Sequence, residues 1–384
     1  MRSSTSWTVW LSSCILILSI LGTSVVDSKK HKGVCRSAGK GKFKKTKKVM
    51  GYYPVYNFKI QSPKQVDYSL TRMYSSSWLS PKPTLPSVSA KTSHPHAEKL
   101  AVEFVDLAKK HNVNPLLSIG GWTGSRHFSE LSSTAERRHL FARRWLSMPK
   151  SLVLLELILI GNIPTVKELD VIPLATRHGE LRSTSQAQLT AALGLNGLIG
   201  SNGSPADATE TAGIAENLDF VNLMAYDVFV ETGVEIMVKQ GFKVQQIILG
   251  LPAYAKRLEL VSPELTPMTV NGTKTPVVFA DDKPGLDVCG NEQKWGGSFL
   301  TTELISNGWL SKDQKTGMNG YKRHFDKCSG TPFLTNGKYF ITYEDHFTSV
   351  SKAKWAQEKH LAGVFFFDTT GPTKSTVSAA ARAL

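Results

Sequence analysis

The chain has 384 residues, 41% hydrophobic and 20% charged, a globular composition that excludes disordered and collagen-like chains. Its net charge of +15 is local in origin, because ten Lys or Arg and no acid lie between Lys29 and Val49. Without that stretch the balance is an ordinary one of about +5, so no basic nucleic-acid-binding face spans the protein.

Arg2 is followed by an apolar run from Trp7 to Leu21, then by small residues at Gly22 and Ser24. A charged start, a short apolar centre and a small-residue exit read as a secretory signal peptide over 1–24. Ser12, Ser13 and Ser19 interrupt the run, which is too short to span a bilayer, so no membrane span is expected. Residues 25–48 lack an apolar period and read as a basic flexible arm rather than an electrostatic hold on an acidic partner. Cys14 leaves with the signal peptide, so Cys35, Cys289 and Cys328 remain. An odd count in a secreted chain means a free thiol, an intermolecular bridge or a missing partner. Asn202-Gly203-Ser204 and Asn271-Gly272-Thr273 have the form of N-glycosylation acceptors.

From Val49 onward, short apolar runs alternate with amphipathic helices. Val49–Val55 is a strand. His96–Lys110 is a helix with Leu100, Val102, Phe104, Val105 and Leu107 on its apolar face. Pro115–Ile119 is a strand, Glu136–Trp145 a helix, and Leu152–Ile160 a continuous apolar run of the kind buried on both faces. Leu189–Leu193 and Phe220–Ala225 are strands, Val234–Gln240 a helix and Gln246–Pro252 a strand. Val350–His360 is a helix and Gly363–Phe367 the last strand. Between Val66 and Ala90, where a second strand is due, the chain is rich in Ser and Pro and reads as loop.

This alternation predicts parallel βα units closed as a (β/α)8 TIM barrel over 49–384. No G-x-G-x-x-G follows the first strand, which argues against a dinucleotide fold. An irregular stretch over about 257–342 predicts a small α+β insertion between strands seven and eight. Two cysteines in that one segment of a secreted chain predict a Cys289–Cys328 disulfide.

In a parallel barrel the chemistry sits at the strands' C-terminal ends. Those ends are aromatic here, with Tyr52, Tyr53 and Tyr56 after strand one, Gly121-Trp122 after strand three, and Met224-Ala225-Tyr226-Asp227 after strand six. Tyr254 follows strand seven, and Phe365, Phe366 and Phe367 end the last. Aromatic faces stack on the apolar faces of sugar rings, while Tyr and Asp take sugar hydroxyls. Metal-ligand spacing and a G-x-S-x-G turn are both absent, so neither metal nor cofactor is expected.

The segments GYYPVY at 51–56, SIGGW at 118–122, LTAALGL at 189–195, MAYD at 224–227 and LGLPAYAK at 249–256 resemble the family 18 glycoside hydrolases, the chitinases. YKRHFDKCSGTPFL at 321–334 and GVFFFD at 363–368 extend the resemblance toward the fungal-type branch. It implies substrate-assisted hydrolysis, outside the two-carboxylate schemes. The substrate's N-acetyl oxygen attacks, a Glu protonates the leaving oxygen and an Asp orients the acetamide. By resemblance Tyr226 bonds the acetamide oxygen and Asp227 holds the reacting sugar. Tyr52, Gly121, Trp122, Met224, Tyr254 and Phe367 line the groove, Phe367 standing where the family has a Trp. The implied partner is chitin or chito-oligosaccharide, bound by a monomer.

The family's D-x-x-D-x-D-x-E motif is missing. Strand four reads LVLLELILIGNIPTVKELD, with Glu156 its only carboxylate before Glu168, and an unpaired charge in that run is costly. The chain as written is therefore expected to be a secreted chitinase-family protein that acts on or binds chitin but is catalytically impaired, with a non-catalytic, chitin-binding, lectin-like protein as the alternative. A one-base frame shift over Glu156–Pro164 permits Gly-Ile-Asp-Phe-Asp-Trp-Glu-Tyr-Pro, the strand the family needs. Glu168–Val171 then permits Gly-Ile-Gly-Cys, a partner for the odd cysteine, and Leu79–Leu85 permits Ala-Phe-Ala-Glu-Thr-Asp-Phe. A reading-frame error or lesion over 150–182, rather than design, is thus the expected cause of the missing motif, and an active chitinase behind it is a further alternative.

Overall fold

The computed structural model describes residues 47–69, 73–84, 87–92, 97–120, 127–146, 155–158, 189–226, 230–263, 265, 268–270, 273–275, 285–286, 292–293, 297–327 and 329–384. The signal peptide, the arm up to residue 46, the Asn271 acceptor and Cys35, Cys289 and Cys328 lie outside them, as do Gly121, Trp122 and Asp227.

Strand β1 (Lys48–Tyr53) takes in the last lysine of the basic run. At its start the Lys47 ammonium donates to the Leu361 carbonyl at 2.6 Å, and Lys48 lies over the Phe220 ring. There follow β2 (Met73–Thr84), β3 (Ser87–Thr92), α1 (Ala97–Lys110), β4 (Asn114–Gly120), α2 (Phe128–Leu131) and α3 (Ala135–Leu146). The middle of the chain gives β5 (Leu155–Ile158), β6 (Leu189–Gly194), α4 (Ala208–Asn217), β7 (Phe220–Met224), α5 (Val230–Lys239) and β8 (Ile247–Pro252).

Next come β9 (Tyr254–Glu259), β10 (Met268–Val270), β11 (Thr273–Thr275), β12 (Gly285–Leu286), β13 (Glu292–Gln293), β14 (Ser298–Leu300) and α6 (Thr301–Ser306). The last elements are β15 (Lys322–Asp326), β16 (Thr331–Thr335), β17 (Tyr339–Tyr343), α7 (His346–Glu358), β18 (Gly363–Phe367) and α8 (Lys374–Ala383).

The fold is TIM-barrel-like α/β. Strands β1, β2, β4, β5, β6, β7, β8 and β18 pair in parallel in that order, and β18 pairs again with β1. Met50, Tyr52, Leu116, Ala192, Ile248 and Phe365 fill the inside of this ring. Alternate residues face outward, and Val49, Ile119, Ala191, Leu193, Val221, Leu249 and Val364 pack there in a separate core. In α1 the buried positions are Ala101, Phe104, Val105 and Ala108, at the 3.6-residue period of an inward face. Val102, placed on that face from the sequence, is instead 45% exposed.

The loop expected over 66–90 is corrected, because β2 is a strand of twelve residues. Its first part has neighbours on both sides, β1 and β4, so backbone pairing carries it where side-chain propensity is poor. Its second part pairs with β3, Pro81 opposite Ala90 and Pro83 opposite Val88. Two prolines two residues apart turn their missing N–H groups to the same side, which an edge strand tolerates.

Between β8 and β18 lies a five-stranded antiparallel sheet in the order β14-β9-β17-β16-β15. One face buries Ala255, Leu334, Ile341 and Tyr343 against Leu304 of α6 and Leu310. Arg257 lies over the rings of Phe299, Trp309 and Tyr339.

Gly250 sets the tightness of the barrel. A Cβ there would meet the Leu223 carbonyl oxygen at 2.7 Å, Phe365 Cζ at 2.7 Å and Tyr226 Cε1 at 2.9 Å. Gly250→Ala is expected to cost about 1–3 kcal/mol in urea unfolding by overpacking; an unchanged midpoint would contradict this packing.

Candidate functional site

Parallel pairing sends the C-terminal ends of the barrel strands to one face, and five predicted site residues meet there. Tyr52, on β1, lies edge-on to Phe365 at 5.2 Å between centroids and 5.6 Å from Phe367, both on β18. Tyr226, just after β7, is 6.2 Å from Phe367 and meets Tyr254 of β9 edge-on at 5.9 Å. Met224 packs on the same cluster. These are the tilted and edge-to-face arrangements that aromatic quadrupoles favour.

Burial divides the cluster into a floor and a rim. Tyr52 and Phe365 are buried, at 4% and 0% exposure, and the Tyr52 hydroxyl accepts a hydrogen bond from Asn222 Nδ2 at 2.9 Å. Met224, Tyr226, Tyr254 and Phe367 are half-buried, so part of each is left for a ligand at the barrel mouth. Core packing explains the first pair; the other four keep some exposed surface, although the Tyr226 hydroxyl is itself buried. Asn222 and Phe365 were not picked out as site residues. The signal for Phe365 was period two along β18, which puts it on the same face as Phe367.

Beneath this mouth the polar groups are unevenly matched. Ser118 of β4 and Thr190 of β6 share the inner faces of Leu116 and Ala192, and both are buried. Among the described residues, neither the Ser118 nor the Thr190 hydroxyl has a hydrogen-bond partner. Glu156 of β5 occupies the register position between them, and Ile158 the position between Gly120 and Ala192. Among the described residues, no group of three or more His, Cys, Asp or Glu side chains is placed to hold a metal ion, and no helix is long and apolar enough to cross a membrane.

Asp368, adjoining Phe367, is the perturbed acid at this face. It is buried, and its carboxylate accepts from the Thr370 backbone N–H at 2.8 Å and from the Thr370 hydroxyl. Burial pushes its carboxyl up to about 6, against the downward pull of the Thr370 hydrogen bonds.

Comparison with known proteins adds four findings. Residues 174–371 match the family model described as glycosyl hydrolases family 18. A chitinase-like effector of Moniliophthora roreri is 27% identical over 320 residues, covering 70% of this chain and 76% of the relative. A chitinase-like effector of Moniliophthora perniciosa is 25% identical, covering 87% and 86%. A family 18 chitinase from Cycas revoluta, solved in complex with (GlcNAc)4, superposes with a TM-score of 0.67 at 19% identity, over 88% of this chain and 99% of that one.

The Asp368 environment generates a pH prediction. A carboxyl raised from 3.8 to about 6 holds its proton better in the folded than in the unfolded chain. Stability is then greatest below about pH 4 and falls as the pH rises through 6, by about 3 kcal/mol in all. Asp368→Asn keeps an oxygen for Thr370 and removes this slope. Urea unfolding at pH 4 and pH 7 should show the variant gaining on the parent by that amount; a constant difference would rule out a buried, proton-holding Asp368.

Proposed function

The chain belongs to the glycosyl hydrolases family 18, and from that membership we propose that it is a secreted protein that binds chito-oligosaccharides and, as written, does not cleave them. The aromatic mouth formed by Tyr52, Met224, Tyr226, Tyr254 and Phe367 is the observation that carries the binding half of this reading. Half-buried rings with a phenol among them suit a sugar, with an apolar face for stacking and a hydroxyl to meet the acetamide. The oligosaccharide in the Cycas revoluta complex supports the same class of ligand.

In this reading the architecture is a full (β/α)8 barrel with an α+β insertion between strands seven and eight, Cys289 is bonded to Cys328, and the protein acts as a monomer without cofactor or metal. Tyr226 bonds the N-acetyl oxygen and Asp227 holds the sugar at the mouth, with Gly121 and Trp122 completing the groove. Such groups can bind and orient a sugar ring. Protonating the leaving oxygen needs an acid of raised pKa at the glycosidic bond, and the motif that would supply it is missing from the sequence. Ile158 stands in register with Gly120 and Ala192. General-acid catalysis is worth about 10² to 10⁴ in rate, and its loss leaves binding intact. The name chitinase-like effector, borne by two relatives, accords with a family member put to a use other than digestion.

A second reading, an active chitinase altered by a frame error in the segment 150–182, is favoured by Ser118 and Thr190. Two buried hydroxyls without partners among the described residues flank β5, and such donors are ordinarily satisfied. The shifted peptide places an Asp codon at 158, in register with Gly120 and Ala192, and would give these donors an acceptor. Sequencing the transcript over that segment separates the two readings.

Calorimetric titration with chitotetraose and a parallel assay of its cleavage test the proposal. Binding without turnover is expected, and Tyr254→Ala should weaken it about tenfold or more, as truncation of an aromatic anchor does. Cleavage at a rate unaffected by the missing acid, or no binding at all, would overturn it.

A further inference from the structure

A small cavity with polar groups on its wall lies against Pro252 of β8 and Phe366 of β18, and nothing in the binding reading uses it. Its volume is about 10 Å³, about the room one water needs, and it is bounded by Pro252 at the end of β8, Thr301 and Gln314 of the intervening segment, Glu344, Ser349 of α7 and Thr376 of α8. Glu344 is 3% exposed. One of its oxygens, Oε2, takes the Lys352 ammonium. The other, Oε1, is buried, and among the described residues no donor bonds it, the nearby Thr348 hydroxyl being turned to Asp345 Oδ1 at 3.1 Å. Leaving a carboxylate oxygen unbonded in the interior costs at least about 1–3 kcal/mol, and this one borders a cavity with hydroxyls and an amide around it.

Charge decides what kind of donor belongs there. Glu344 is paired with Lys352, and the neighbouring Asp345 with Arg323. The two carboxylates are thus balanced by two cations, and no net negative charge remains to draw in a metal or ammonium ion. A neutral, water-sized donor is what the lining fits, since a buried water needs two to four polar partners. We propose that this cavity is a built hydration site, in which ordered water donates to Glu344 Oε1 and joins the segment carrying Thr301 and Gln314 to helices α7 and α8. Pro252 stands two residues before Tyr254, and Phe366, which also lines the cavity, stands just before Phe367. The site therefore backs both ring-bearing strands of the mouth and acts on them through position alone.

The test uses the full chain and does not depend on sugar binding. A high-resolution crystal structure should show ordered water about 2.7–3.2 Å from Glu344 Oε1; a protein donor rotated onto that oxygen would overturn the proposal. Melting in ammonium, potassium and tetramethylammonium chloride at equal ionic strength should give equal Tm values, whereas a selective rise with ammonium or potassium would make the site a cation site. Ser349→Ala puts a better helix former into α7, so a fall in Tm of about 2–4 °C would report loss of the water's partner. An unchanged or raised Tm would count against it.

Discussion

Parallel pairing is the constraint on which the rest of this molecule depends. Because β1, β2, β4 to β8 and β18 all run the same way round the ring, every C-terminal strand end is delivered to one face. Residues as distant in sequence as Tyr52, Tyr226 and Phe367 are then within stacking distance. Gly250 lets this happen, since its missing side chain admits Phe365 and Tyr226 together. Core and site are one structure here, the buried Tyr52 and Phe365 forming the floor beneath the half-buried rim.

The same geometry explains how sugar affinity and catalysis can part company. Affinity comes from rings on several strands and survives the loss of any one contact in part. In the proposed reading, acid catalysis would rest on carboxyls of one strand, β5, which pairs between β4 and β6. On that reading, a change confined to β5 would remove the chemistry and leave the ring of strands paired, because Leu155–Ile158 meets both neighbours in register.

The strands that are apolar on both faces were plain in the sequence, and Gly363–Phe367 was read to the residue, because nothing polar competes with burial in such runs. The second strand was not legible. The Ser- and Pro-rich stretch at 73–84 is held by backbone pairing to its neighbours, which composition does not report. Helix α4 was passed over although its start is written locally, with Asp207 capping Thr209 and Glu210 and the Glu210 side chain reaching back to the Asp207 N–H. Of the mouth, the strand-end aromatics were visible as residues, but the partition into floor and rim was not, since it depends on how far each ring is covered by its neighbours. The polar cavity at Glu344 had no sequence signature at all, its lining coming from segments far apart in the chain.

The central claim is that the aromatic mouth holds a chito-oligosaccharide that the chain as written leaves whole. A crystal structure of the protein after prolonged soaking with chitotetraose tests it most directly. The account predicts an intact tetrasaccharide with a sugar ring against Tyr226, Tyr254 and Phe367. Cleaved fragments in the mouth, or an oligosaccharide bound elsewhere on the surface, would contradict it.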